Sequence, residues 1–191
     1  GTVSGGSGGT DTLDYETDNF NAAVTINLQA LTATGTGGIA NIDAVVGDSG
    51  FNATNELVGA DAANTWNITG ADDGNIGGTF AFTDMGNLTG GSNTDAFILT
   101  GGGSVSVLIT GSGGSDTVQG DDLANTWNLT GAGVGDVGGS NFTGIENLTG
   151  GSNTDNFEFA SGSSVSGTVS GGSGGTDTLD YETDNFNAAV T

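Results

Sequence analysis

Three segments of this chain place an aspartate after a glycine- and serine-rich run and before an apolar residue: Gly6 to Leu13 with Asp11, Gly111 to Val118 with Asp116, and Gly172 to Leu179 with Asp177. Two more, Gly90 to Phe97 and Gly150 to Phe157, keep the aspartate as Asp95 and Asp155 but place Asn at the fourth position. Gly59 to Trp66 and Gly120 to Trp127 put Asn64 and Asn125 where the carboxylate would stand. Glycines allow a tight loop that turns its carbonyls outward, and the aspartate adds a carboxylate. Such hard oxygen donors suit calcium. The same aspartate can instead cap the loop by accepting from its own backbone, and both roles remain open.

Most other chemistry is excluded. The 191 residues include no Lys, Arg, His, Cys or Pro. Metal sites built on His or Cys, Schiff-base and thiol catalysis, and Arg clamps on phosphate all lack their residues. The neighbouring pairs Asp72-Asp73 and Asp121-Asp122 supply two carboxylates each, the minimum for glycoside hydrolysis. Adjacent residues on a strand face opposite ways, and both pairs lie beside glycines, so no enzyme is expected. A net charge of -23 with no basic residue excludes nucleic acid as a direct partner. No apolar run of 18 residues appears, so membrane insertion is not expected either.

The elements that carry these loops are short and alternating. Val24, Ile26 and Leu28 alternate with Thr25 and Asn27, and Phe80 with Phe82, Phe157 with Phe159 and Leu179 with Tyr181 repeat the pattern. Period two describes half-buried strands. Nothing shows helical spacing, and 39 glycines would each cost a helix roughly 1 kcal/mol. The chain is therefore expected to be all-β with essentially no helix.

Repeats set the architecture. Residues 1–25 return unchanged as residues 167–191, so residues 1–166 form one full period and residues 167–191 the start of the next. Within it, Asn64-Thr65-Trp66-Asn67-Ile68-Thr69 recurs 61 positions later from Asn125, and Asn87 to Asp95 recurs 60 positions later from Asn147. Residues 14–58 diverge most. A sandwich or barrel does not explain a tandem identical period, whereas a β-solenoid that adds coils along an axis, pairing them in parallel, does. The absence of Pro fits, because each coil must hydrogen-bond to its neighbours. About twenty residues per coil would give about eight coils and a rise of about 40 Å per period. A three-sided coil of thirty residues would give five or six. With Gly1 first and Met85 the only methionine, the chain reads as an internal piece of something longer.

Trp66 and Trp127, on alternating strands, are expected in the core rather than on a sugar-binding face. Six Asn-x-Thr triplets, at Asn52, Asn67, Asn87, Asn128, Asn141 and Asn147, read either as glycosylation acceptors or as polar faces of strands.

The glycine-aspartate segments resemble degenerate repeats-in-toxin nonapeptides of the haemolysin calcium-binding type. The whole period, through NTWNITG, NLTGG, GGSGGTDTLDY and AVTINL, resembles repeat units of giant secreted bacterial surface and adhesin-like β-solenoid proteins. The resemblance implies secretion to the cell surface or extracellular space, an extended solenoid, and Asp11, Asp95, Asp116, Asp155 and Asp177 as candidate calcium ligands. Consecutive nonapeptides occur once, at Gly111 and Gly120, a departure from a fully loaded calcium roll. The expected function is that of a structural, non-enzymatic unit of a long filament or stalk. Its partners would be adjacent identical repeats, divalent cations, and neighbouring filaments through lateral self-association. The alternative is an adhesin segment that binds carbohydrate or protein through one face. Residues 1–166 hold 19 of the 23 acidic residues, all but Asp177, Asp180, Glu182 and Asp184. Over roughly 26 to 40 Å that approaches the ~1.7 Å charge spacing at which duplex DNA condenses counterions.

Overall fold

The computed structural model describes residues 1–17 and 20–181. It is all-β, with parallel and mixed sheets and no helix of seven or more residues among the described residues. The first stretch holds β1 (Val3–Ser4), β2 (Thr12–Asp14), β3 (Thr25–Asn27), β4 (Thr32–Ala33), β5 (Ile39–Ala40), β6 (Ala44–Val46) and β7 (Glu56–Val58). A 3-10 helix, Ser49–Thr54, precedes β7, and the Asp48 side chain caps it by accepting from the Gly50 N–H. The second holds β8 (Asn64–Gly70), β9 (Asp73–Ile76), β10 (Phe80–Thr83), β11 (Asn87–Thr89), β12 (Asp95–Leu99), β13 (Leu108–Thr110) and β14 (Thr117–Gln119). The third repeats the second: β15 (Asn125–Gly131), β16 (Val134–Val137), β17 (Ser140–Thr143), β18 (Asn147–Thr149), β19 (Asp155–Phe159), β20 (Val169–Ser170) and β21 (Thr178–Asp180).

These strands form a nine-stranded sheet, a ten-stranded sheet and the small pair β1-β5. In the second stretch β8, β9, β10, β12 and β14 lie in the nine-stranded sheet, while β11 and β13 lie in the ten-stranded one. The third stretch makes the reverse assignment: β15, β16, β17, β19 and β21 join the ten-stranded sheet, β18 and β20 the nine-stranded one. The third stretch thus lies on the opposite sheet from the second, which alternation within a strand could not reveal.

Lateral spacing follows from what lies between strands. Asn87 of β11 lies beside Leu108 of β13, and Ala96 of β12 beside Thr117 of β14, 21 positions apart in each case. Asp95 lies beside Asn64, and Asn87 beside Glu56, 31 positions apart. Ala81 lies beside Ala44 at 37. All of these pairs are parallel. The expected twenty-residue spacing therefore describes only part of the chain. Two antiparallel meanders, β8-β9-β10 and β15-β16-β17, and the β3-β4 hairpin lengthen the rest. The β16-β17 turn is Gly138-Gly139, with φ of 56° and 83°, the two left-handed residues that a tight right-twisting hairpin needs. In sequence the same Gly-Gly reads as loop punctuation, which hides the hairpins from an expectation of parallel pairing alone.

Side chains from both sheets build one hydrophobic cluster. Trp66 and Trp127 are both fully buried in it. Register stacks Trp66 on Phe97 at 5.3 Å between ring centroids, and Trp127 on Phe157 at 5.1 Å. Each indole lies against a glycine: a Cβ on Gly59 or Gly120 would come within 2.9 Å of Cζ2 of Trp66 or Trp127. The two tryptophans are equivalent in their repeats and lie in opposite sheets.

Candidate functional site

The candidate carboxylates all stand at or just before the first residue of a strand, so parallel pairing stacks them in columns. Asn64, Asp95, Asp116 and Glu146 form one column at the edge of β8, β12, β14 and β18. Asn125, Asp155 and Asp177 form its counterpart on the other sheet, along β15, β19 and β21. Asp11 and Asp43 stand side by side before β2 and β6.

Within the columns the side chain of one residue accepts the backbone N–H of the residue below it, except at Asn125, whose N–H donates to the Thr154 carbonyl while its side-chain amide donates to Asp155 Oδ1. Asp95 Oδ1 accepts from Asn64 N at 3.1 Å, Asp116 Oδ1 from Asp95 N at 2.8 Å, and Glu146 Oε2 from Asp116 N at 2.8 Å. On the other sheet Asp177 Oδ1 accepts from Asp155 N at 3.0 Å. Asp43 Oδ2 does the same for Asp11 N at 2.9 Å, and Asn55 Oδ1 for Val24 N at 3.0 Å. The motif solves a local problem. Where the chain bends into a strand, an N–H points along the stack with no carbonyl opposite it, and a buried unpaired donor costs about 1–3 kcal/mol.

The glycines of the motif make room for this arrangement. A Cβ on Gly90 would lie 2.6 Å from Asp95 Oδ2, and one on Gly111 would lie 2.7 Å from Asp116 Oδ2. The second oxygen then decides between two loop types. In the loops with Asn at the fourth position, Gly91 N donates to Asp95 Oδ2 at 2.7 Å and Gly151 N to Asp155 Oδ2 at 3.0 Å. Both aspartates cap their own loops; Asp95 also caps the strand below, and Asp155 Oδ1 accepts from Asn125 Nδ2 at 2.9 Å. At Asp116 the position equivalent to Gly91 is Ser112, whose φ is 73°, and Asp116 Oδ2 is buried with no hydrogen-bond partner.

Asp95, Asp116 and Asp155 are fully buried, while Asp11 and Asp177, on the outermost strands, are not. Burial pushes the Asp116 carboxyl up to about 6, and the charges of Asp95 and Glu146 push in the same direction, against the bond from Asp95 N. A cation beside Asp116 Oδ2 would satisfy that oxygen and offset the neighbouring charges. The five candidate ligands are distributed along columns, and among the described residues no group of three or more acidic side chains is placed so that it could hold a metal ion.

Several other carboxylates are also engaged with backbone. Asp72 accepts from Ser106 N at 2.6 Å and from Asn52 Nδ2 at 3.0 Å, and Asp73 from Asp84 N at 3.1 Å. Asp121 accepts from Gly102 N and Leu123 N, both at 3.1 Å. Around Asp84 the fold gathers Asp73, Glu16, Asp72 and Asp48, and burial together with these charges raises the Asp84 pKa. Sequence reading misses this cluster, because its members are spread from position 16 to 84. It also misses Asp43, Asn55 and Glu146, whose only signal is a polar residue just before a strand. All six triplet asparagines donate their side-chain amide to a protein acceptor, as in Asn67 to Asn75 Oδ1 and Asn128 to Asp136 Oδ1, both 3.0 Å. Compared with protein-family models, curated proteins and solved structures, the chain shows no match.

Proposed function

We propose that the chain is a two-sheet β-solenoid unit whose function is mechanical: to supply length and stiffness to an extracellular filament or stalk, without enzymatic activity. The observation that carries this reading is the lateral ladder. Strands 21 or 31 positions apart pair in parallel, and the chain changes sheet between successive rungs from β11 to β14. Eight intervals of about 4.8 Å across the nine-stranded sheet amount to about 40 Å of stack. Backbone hydrogen bonds and carboxylate caps run along the same direction, so a pull along the stack loads many bonds at once. Zero Lys and Arg deprive trypsin-type proteases of a cleavage site. Without basic residues the carboxylates also require a cation atmosphere, and calcium at the Asp116 rung would stabilise the stack further. The buried tryptophans offer no sugar platform, which leaves the adhesin alternative without its strongest residues.

Fibre diffraction and imaging of native material test the reading. Filaments with a meridional spacing of about 4.8 Å are expected. Compact particles would overturn it.

A further inference from the structure

The segment that occurs twice is held differently at its two occurrences. At residues 1–14, β1 pairs with β5 and β2 pairs with β6, with Leu13 beside Val45. At residues 167–180, the same residues form β20 and β21, which pair with β18 and β19, with Leu179 beside Phe157. One occurrence shows the upper neighbours and the other the lower ones. The sheets differ as well, because β2 belongs to the nine-stranded sheet and β21 to the ten-stranded one. β2 and β20 stand at opposite ends of the nine-stranded sheet; Val3, on β1, and Leu179, on the terminal strand β21 of the ten-stranded sheet, are 39% and 51% exposed.

We infer that the two ends are complementary and that the partner they fit is a second copy of this chain, with residues 167–180 of one molecule taking the place of residues 1–14 on the next. The inference rests on the filament reading above and names its junction. Identical side chains guarantee that the incoming segment matches Ile39–Ala40 and Ala44–Val46 as well as the resident one does. A single segment then bridges both neighbours, with Leu179 between Phe157 of its own chain and Val45 of the partner molecule. The ten-stranded sheet of one copy continues into the nine-stranded sheet of the next, so successive copies are related by a half turn about the stack and a rise. Such a head-to-tail arrangement does not close on itself and extends into a line. The true repeat of that line is two periods, and every residue appears on both faces. In a chain carrying tandem periods the junction is covalent. Between separate molecules it requires exchange, in which the incoming segment pairs with the same strands that the displaced segment leaves. The freed residues recover conformational entropy and association costs it.

That balance sets the test, because one substitution made at either occurrence has opposite consequences. Leu13→Asp weakens the resident segment and leaves the donor intact, so the full chain is expected to form oligomers of two or more molecules by light scattering after size exclusion. Leu179→Asp spoils the donor, and the full chain is expected to stay monomeric. The double variant is expected to be monomeric too. A monomeric Leu13→Asp chain overturns the inference, as does a double variant that associates like Leu13→Asp, since that association would come from exposed apolar surface. Native filaments alongside a monomeric Leu13→Asp chain would reject this junction only, whereas compact native particles would reject the filament reading itself.

Discussion

Asp116 Oδ1 accepts the backbone N–H of Asp95 across two adjacent strands at 2.8 Å, with 21 positions of sequence separating the two residues. The bond joins two glycine-aspartate loops that sequence treats as separate, and it makes the Asp116 loop the cap of the Asp95 loop. Replacing Asp116 with Ala orphans the Asp95 N–H and is expected to cost about 1–3 kcal/mol. Chemical denaturation measures it. A loss no larger than that of Asp122→Ala, at an exposed carboxylate, would deny the capping role.

Acidity should act on the same residue with a defined sign. The Asp116 carboxyl is raised to about 6 in the fold from an ordinary value near 3.8, so between these values the folded state binds more protons than the unfolded one. Stability contributed by the protonated group is therefore present in full below pH ~4 and is lost as pH rises through ~6. Thermal melts of chelator-treated protein from pH 4 to 8 are expected to show this decline against the general repulsion of the other carboxylates. Asp116→Asn is expected to flatten the part of the decline that falls between pH ~4 and ~6, and an unchanged profile would contradict the assignment.

Cations separate into ordered and diffuse effects. Calcium in the millimolar range is expected to raise the melting temperature in 0.15 M sodium chloride, with magnesium weaker because it releases its waters reluctantly. Asp116→Asn is expected to remove most of the calcium-specific part. Equal shifts from magnesium, or from added sodium chloride alone, would assign the whole effect to the ion atmosphere.

The stacked indoles should dominate the core. Trp66→Ala and Trp127→Ala are each expected to cost about 3–5 kcal/mol, because both side chains are fully buried against Phe97 and Phe157. Denaturant titration of each variant provides the measurement. Losses under about 1 kcal/mol at both positions would place the rings outside a packed core.

Glycine at the head of the motif is a steric requirement. Gly111→Ala would set a Cβ 2.7 Å from Asp116 Oδ2 and against the Gly144 carbonyl, and is expected to destabilise by about 1–3 kcal/mol. The same denaturation assay compares it with Gly1→Ala, where nothing lies within 4 Å and no measurable change is expected.

Much of the fold is legible without coordinates. Period-two alternation at Phe157 and Phe159 identifies strands, because a pleated backbone sends neighbouring side chains to opposite faces. The 61-residue return of NTWNITG makes Trp66 and Trp127 equivalent, and the identity of residues 1–25 with 167–191 defines the period; residues 182–191 of that second copy lie outside the described residues. Local composition also marks the glycine-aspartate loops. These properties follow from side-chain chemistry and chain geometry over a few residues, which sequence carries directly.

Lateral pairing was decided only in three dimensions. Whether Asp95 meets Asn64, Asp116 or neither depends on how many residues each turn and hairpin consumes, and the meanders after Asn64 and Asn125 shift that count from 21 to about 30. The same count sends the third stretch to the opposite sheet from the second, so Trp66 and Trp127 share a role but not a face. A carboxylate in the sequence is equally a calcium ligand or a cap. Its role is set by which N–H the neighbouring strand brings to it, and that strand is placed by the packing of the whole stack.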